Sequence, residues 1–280
     1  MAFSATPEPS VSPEDVAESL PSLGAPPQVS IVIPAYNEAR RLPATLAGWR
    51  AFLGLQAYAW EILVVDDGSS DATAAVAAAS GARVVRLNPN QGKGGAVRAG
   101  VLAAEGQCIA YADADMNVAP SHLQEALRSL EAGTRPSSQH DPNLRDVSRR
   151  LEDGADLVAG RRDLAQYAAA EGPIRLLAGG LVQATRRLVV MSAIRDTQCG
   201  FKVFRRDLGR AIFTRTRVRS FAFDIEVLFL ARKFGARIVE MPVSTTYRAE
   251  STFNVRKHLP IFLKDIVEIR LNDMRARYDH

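Results

Sequence analysis

From residue 28 onward, short uninterrupted apolar runs alternate with longer stretches rich in Ala, Leu and Arg. The runs are VSIVIP at 29–34, EILVV at 61–65, ARVVRL at 82–87, QCIAYA at 107–112 and ADLVAG at 155–160. Runs this short with no polar alternation predict strands covered on both faces, the pattern of a parallel sheet. The intervening segments 38–53, 71–80, 94–105 and 121–132 are of helical length and composition. A strand–helix–strand rhythm implies right-handed crossovers, hence an α/β fold with an open, mostly parallel sheet flanked by helices. Ligands of such sheets sit at the carboxyl ends of the strands. Further along, 173–191 and 222–234 read as helices and 236–243 as a strand. The stretch 256–278 reads as a helix in which apolar and basic residues interleave.

Two segments fall outside this rhythm. Residues 1–27 carry Pro7, Pro9, Pro13, Pro21, Pro26 and Pro27 among Ser, Ala and Glu with no apolar period, so they are expected to form a flexible tail preceding one domain over 28–280. Residues 134–152 are polar with two prolines and read as a surface insertion. With 47% hydrophobic and 24% charged residues, the chain is excluded from the disordered and polytopic membrane classes. No apolar run is long enough to span a bilayer and the first residues lack the marks of a signal peptide, so a cytoplasmic protein with at most peripheral membrane contact is expected. Cys108 and Cys199, the only cysteines, are too few for a disulfide framework or a thiolate zinc site. The net charge of +4 conceals an asymmetry: residues 201–280 carry 17 Lys and Arg against 9 Asp and Glu. This Arg-rich end suits phosphate recognition, although the acidic strand ends described next leave no reason to expect nucleic acid.

Carboxylates gather at two strand ends. Asp66 and Asp67 follow EILVV, while Asp113 and Asp115 follow QCIAYA. An Asp-x-Asp leaving a strand can hold one divalent cation, Mg²⁺ or Mn²⁺, against a diphosphate leaving group. Taken alone, the same residues serve equally as turn formers and helix caps. Between them, Asn90-Gln91-Gly92-Lys93-Gly94-Gly95-Ala96-Val97-Arg98 is a glycine-rich loop entering a helix. Its amides, with Lys93 and Arg98, are expected to approach a phosphate. It has neither the P-loop spacing nor the dinucleotide fingerprint, which removes ATPase and NAD chemistry. Asp224 and Glu226 in FAFDIEVLF face differently on a helix, leaving Asp224 free to point into a site. The four histidines have no ligand spacing.

The motifs IVIPAYNE, VVDDGSSDAT, NQGKGGAVRAG, DAD, AGRRD, DTQCGFKVF and FDIE occur in this order over roughly 29–272. Together they resemble the family-2 inverting glycosyltransferases of GT-A fold, with a pattern similar to the dolichyl- or polyprenyl-phosphate β-glucosyltransferases. The resemblance implies that Pro34, Ala35, Tyr36, Glu38 and Asp67 hold the nucleoside of a nucleotide sugar, UDP-glucose above others. It implies that Asp113, Ala114 and Asp115 contact donor and cation, with Asn117 a further metal ligand. Arg161 and Arg175 would bind the acceptor phosphate, and Gln198 and Lys202 would line the acceptor side.

The implied reaction is metal-dependent transfer of a hexose onto a polyprenyl phosphate. A soluble hydroxyl acceptor, such as a glycerate or sugar, is the alternative, with Asp224 as the base it needs. Sugar-1-phosphate nucleotidyl transfer and non-enzymatic nucleotide binding rank below. The helix at 256–278 brings Leu259, Phe262, Leu263, Ile266, Ile269 and Met274 near one another. That stripe serves either core packing or attachment to an anionic lipid surface.

Overall fold

A computed structural model describes residues 27–131, 155–163, 194–245 and 255–279. The 134–152 insertion, the 173–191 helix with Arg175, and the tail before residue 27 lie outside the described residues.

Seven strands form one sheet: β1 (Val29–Ala35), β2 (Trp60–Asp66), β3 (Arg83–Arg86), β4 (Cys108–Ala112), β5 (Leu157–Arg161), β6 (Phe201–Arg205) and β7 (Ile238–Pro242), in the order β3-β2-β1-β4-β6-β5-β7. The first four pair in parallel, as their apolar runs predict. Strand β6 runs antiparallel to both β4 and β5, while β5 and β7 are parallel. The helices are α1 (Leu42–Leu53), α2 (Thr73–Ala79), α3 (Gly92–Ala103), α4 (His122–Glu131), α5 (Arg206–Arg215), α6 (Phe223–Lys233) and α7 (Val255–Met274).

Alternation along β1 builds a core on each face. Ile31 and Ile33 pack with Leu42, Leu46 and Trp49 of α1 and Leu123 and Leu127 of α4. Val32 packs on the opposite face with Val97 and Val101 of α3, Phe213 of α5 and Leu228 of α6. Helix α6 is buried without a break from Phe223 to Ala231, as befits a helix enclosed on all sides. It therefore carries Asp224 and Glu226 into the interior. In α7, Phe262, Ile266 and Ile269 are buried in the core, whereas Met274 is 82% exposed. A second apolar row of Ile261, Val267 and Leu271 faces outward.

Strand β6 and helix α5 are the elements that the pattern missed. FKVFR carries two cations in five residues and does not read as an interior strand, but it lies between β4 and β5. Its reversed direction has a functional consequence. The start of β6, not its end, lies beside the carboxyl end of β4, with Phe201 paired to Ala112.

Candidate active site

The loop after β1 is set by the loop after β2. Asn37 has φ +55°, a left-handed conformation that asparagine tolerates. Its Oδ1 accepts from the Ser70 amide at 2.9 Å, and its own amide donates to Ser69 Oγ at 2.9 Å. The Glu38 amide donates to Thr73 Oγ1 at 2.8 Å and that of Ala39 to Asp71 Oδ2 at 3.1 Å. This lacing holds Pro34 and Ala35 at the strand end and presents Tyr36, 52% exposed, to solvent. Glu38 is not turned outward: both of its oxygens receive the Arg41 guanidinium, at 2.7 and 2.5 Å. Asp66 shapes the turn by accepting from Ser69 N at 3.1 Å. Asp67 is buried and its Oδ1 accepts from Gln91 N at 2.7 Å. Burial pushes its pKa up, the Gln91 and Gly92 amides oppose this, and the Asp66 charge adds to the rise.

Asp113 and Asp115 leave β4 in the turn opposite the start of β6. The Lys93 ammonium donates to Asp113 Oδ1 at 2.6 Å. Burial works to lower the Lys93 pKa, but the charges of Asp113, Asp224 and Asp115 together hold it above the ordinary lysine value. Gly200 makes room for this carboxylate, since a Cβ there would fall 1.9 Å from Asp113 Oδ2. The turn is anchored by Thr45 Oγ1, which donates to the Ala114 carbonyl at 2.6 Å. Asn117 donates through Nδ2 to Asp115 Oδ2 at 2.5 Å, while its buried Oδ1 has no partner.

Burial, and then the neighbouring Asp113 charge, raise the Asp115 pKa. Two crowded carboxylates, one of them paired with Lys93, form with an unsatisfied amide oxygen a hard-oxygen set that fits Mg²⁺ or Mn²⁺. Among the described residues no three His, Cys, Asp or Glu side chains gather for a metal. A cation here would therefore draw further oxygens from a bound phosphate.

The glycine-rich loop departs from its expected role. Gly92 and Gly94 do not leave bare amides for a phosphate; they let another backbone approach. Gly94 N–H donates to the Arg219 carbonyl at 2.9 Å. A Cβ at Gly94 would lie 2.4 Å from the Val218 carbonyl oxygen, and one at Gly92 2.5 Å from that of Arg219. Lys93 reaches the acidic pair from this turn. Arg98, about 140° further round the helix at 100° per residue, is exposed on α3 and does not join Lys93.

Asp224 also departs from expectation, because it is not free to point into the site. The register of β4 and β6 pairs Tyr111 with Lys202. Both side chains meet Asp224 Oδ1 from α6, the hydroxyl at 2.6 Å and the ammonium at 2.5 Å. Lys202 is fully buried and spends its other donors on the carbonyls of Thr197, at 3.2 Å, and Cys199, at 2.9 Å. With all three donors used in this way, it has none to offer a ligand. Gln198 is half-buried, with Nε2 3.5 Å from the Phe221 carbonyl. Arg161 ends β5, half-buried, and its neighbour Arg162 forks onto Asp196 at 2.7 and 3.0 Å.

The chain that builds this geometry, with acidic clusters at the ends of β2 and β4 and a lysine between them, is similar to known proteins. The model of glycosyl transferase family 2 matches residues 30–135. A dolichyl-phosphate beta-glucosyltransferase of Drosophila melanogaster is 37% identical over 245 residues, covering 82% of this chain and 69% of that protein. The chain belongs to glycosyl transferase family 2. A dolichyl-phosphate beta-glucosyltransferase of Homo sapiens is 34% identical to this glycosyltransferase, over 82% of its chain and 71% of the relative. Among solved structures, glucosyl-3-phosphoglycerate synthase from Mycobacterium tuberculosis in complex with UDP is similar at TM-score 0.59 and 20% identity. That match covers 90% of this chain and 80% of the other. The same synthase with Mn²⁺, UDP and phosphoglyceric acid also gives 0.59, at 19% identity. The fold of the glycosyltransferase is accordingly GT-A.

The site of the glycosyltransferase includes residues that sequence reasoning passed over. Ser69, Asp71 and Thr73 lace the loop after β1, Tyr111 joins Asp224, and the Phe221 ring lies 5.8 Å from Lys93 Nζ. The first three sit inside a recognised motif, and a polar residue at a fixed offset beyond a strand was their signal. Tyr111 and Phe221 carry none, because an aromatic residue beside an apolar run reads as core.

Proposed function

We propose that this glycosyltransferase moves glucose from UDP-glucose onto a polyprenyl phosphate of dolichyl type, with inversion at the anomeric carbon. The observation that carries the acceptor class is the buried pairing of Asp224 with Lys202 and Tyr111. A hydroxyl acceptor needs a carboxylate to take its proton. The candidate is only 3% exposed, and its Oδ1 already receives Lys202 and Tyr111. A phosphate monoester is anionic at neutral pH and needs no base. The identities above 30% with dolichyl-phosphate β-glucosyltransferases support the same acceptor.

The lipid phosphate oxygen attacks C1 of the glucose and forms the new C1–O bond. The bond from C1 to the diphosphate oxygen breaks, and UDP leaves with the electron pair. Asp113, Asp115 and Asn117 Oδ1 would hold a divalent cation, which when bound neutralises the departing diphosphate. Lys93, already on Asp113, adds a fixed positive charge at that end of the site. Tyr36 lies against the base, Asp67 accepts from the base through the oxygen not committed to Gln91, and Pro34 and Ala35 form the floor. Arg161, with Arg175, orients the acceptor phosphate.

Among the described residues no helix is long and apolar enough to cross a membrane. In this reading a lipid acceptor is reached through peripheral contact at the cytoplasmic face. The outer face of α7 offers Ile261, Val267, Leu271 and Met274 for that contact, beside Lys264, Arg270 and Arg275.

The test is nucleotide release from UDP- and GDP-sugars with Mg²⁺ or Mn²⁺, with and without a short polyprenyl phosphate. UDP released from UDP-glucose only when the lipid phosphate is added is the expected result. Release driven by 3-phosphoglycerate or another hydroxyl acceptor, and not by the lipid phosphate, would overturn it.

A further inference from the structure

We infer that the C-terminal tail positions the donor-site lysine: Tyr278 and Glu226 hold the segment 217–221 against the first turn of α3, and that segment fixes Lys93 on Asp113. The first links are hydrogen bonds and the last is a ring contact. The Tyr278 side chain is fully buried although it lies close to the end of the chain, and its hydroxyl donates to Glu226 Oε1 at 2.6 Å. Glu226, fully buried in α6, turns its carboxylate to the backbone before that helix. It accepts from Arg217 N at 3.0 Å on both oxygens and from Val218 N at 2.9 Å on Oε2. The carbonyls that follow these amides face the other way. Arg219 O receives the Gly94 amide at 2.9 Å, and Val218 O lies where a Cβ on Gly94 would stand. Two residues on, the Phe221 ring lies 5.8 Å from Lys93 Nζ, within the range of a cation–π contact.

Helix α7 and the turn that follows it grip the same segment at two more points. Asp265 accepts from Ser220 Oγ, and the Arg277 carbonyl accepts from Arg217 at 3.1 Å. Lys233 of α6 in turn holds Asp273 at 2.6 Å and Asp279 at 2.8 Å. The segment is thus clamped between the C-terminal helix on one side and the turn bearing Lys93 on the other. Of its side chains only Val218 is packed into the core. A buried carboxylate satisfied by two backbone amides and a phenol holds the segment more rigidly than apolar contact does. Tyr278 and Glu226 are positioning residues that act through Lys93, and neither touches a substrate.

Tyr278→Phe tests this, since it removes one hydroxyl and keeps the ring. Hydrogen exchange at the Gly94 amide should quicken about tenfold, the size of one lost bond to a charged group, with residues 42–53 unchanged. Ser220→Ala should act in the same direction. The kinetic readout rests on the nucleotide-sugar reading: Tyr278→Phe should raise the donor KM about three- to tenfold and leave kcat nearly intact. In a Lys93→Met background the same change should have almost no further effect on donor KM. Exchange that rises equally across the molecule, or an undiminished KM effect without Lys93, would overturn the inference. If the wild type binds no nucleotide, the functional reading fails, and exchange at Gly94 still decides this one.

Discussion

At the scale of single residues, the site depends on charges that have no water to fall back on. Lys202 is fully buried in the middle of a sheet, and its counter-charge is Asp224. Replacing it with methionine would leave the buried Asp224 Oδ1 with the Tyr111 hydroxyl as its donor. Lys202→Met is expected to cost about 3–5 kcal/mol, the typical penalty for breaking rather than replacing a buried pair, and chemical denaturation would measure it. Asp196 is a milder case. Burial works against its charge, but the Arg162 fork and the amides of Arg162 and Gln198 outweigh this and hold its pKa below the ordinary aspartate value. The unfolded chain therefore binds this proton more readily than the folded one. The pair's contribution to stability is present above the ordinary aspartate pKa of about 3.9 and is lost as pH falls through the depressed folded value. Melting temperatures of wild type and Asp196→Asn between about pH 5 and pH 3 should converge as the pH falls. A constant gap would remove Asp196 from the acid sensitivity.

At the scale of elements, close approach of backbones decides what the glycines do. The turn that opens α3 has a composition suited to cradling a phosphate, yet it seats a neighbouring segment. Gly94→Ala would drive a methyl group into the Val218 carbonyl at 2.4 Å. Overpacking of this kind costs about 1–3 kcal/mol, and the expected outcome is that loss together with weaker donor binding, read by denaturation and by titration with UDP. Strand β6 works similarly. Running against its neighbours, it brings Gly200 to Asp113 and Lys202 to Tyr111, so one element shapes both the Asp113 side and the buried side of the site.

At the scale of the whole molecule, binding and surface attachment are the quantities to measure. Bound donor and cation should stabilise the fold by mass action, about 2.7 kcal/mol at a hundredfold excess over Kd. Thermal melts with UDP and Mn²⁺ should show that rise in the wild type and its loss with a chelator. Asp115→Ala should keep the unliganded melting temperature, lose the metal-dependent rise and lose turnover; full activity in this variant would remove the cation from Asp113 and Asp115. The outer face of α7 predicts salt-sensitive sedimentation with anionic liposomes and none with neutral ones. Equal recovery in the supernatant with both would confine α7 to core packing.

The chain's pattern by itself determined strands β1 to β5 and β7 to within a residue or two, the helices between the first four strands, and the carboxylates at the ends of β2 and β4. These are local signals: a doubly covered strand is continuously apolar whatever lies beside it, and a crossover leaves its strand end where the run of apolar residues stops. What only the tertiary structure decided is the reversed strand β6, the burial of Asp224 and the seating of Gly92 and Gly94 against residues 218 and 219. Lys202 lies more than twenty residues from Asp224 in the chain, and Gly94 lies more than a hundred from Val218. A charge or a glycine carries one meaning facing solvent and another facing a partner. The partner here is supplied by the packing of distant segments, which no window of sequence contains.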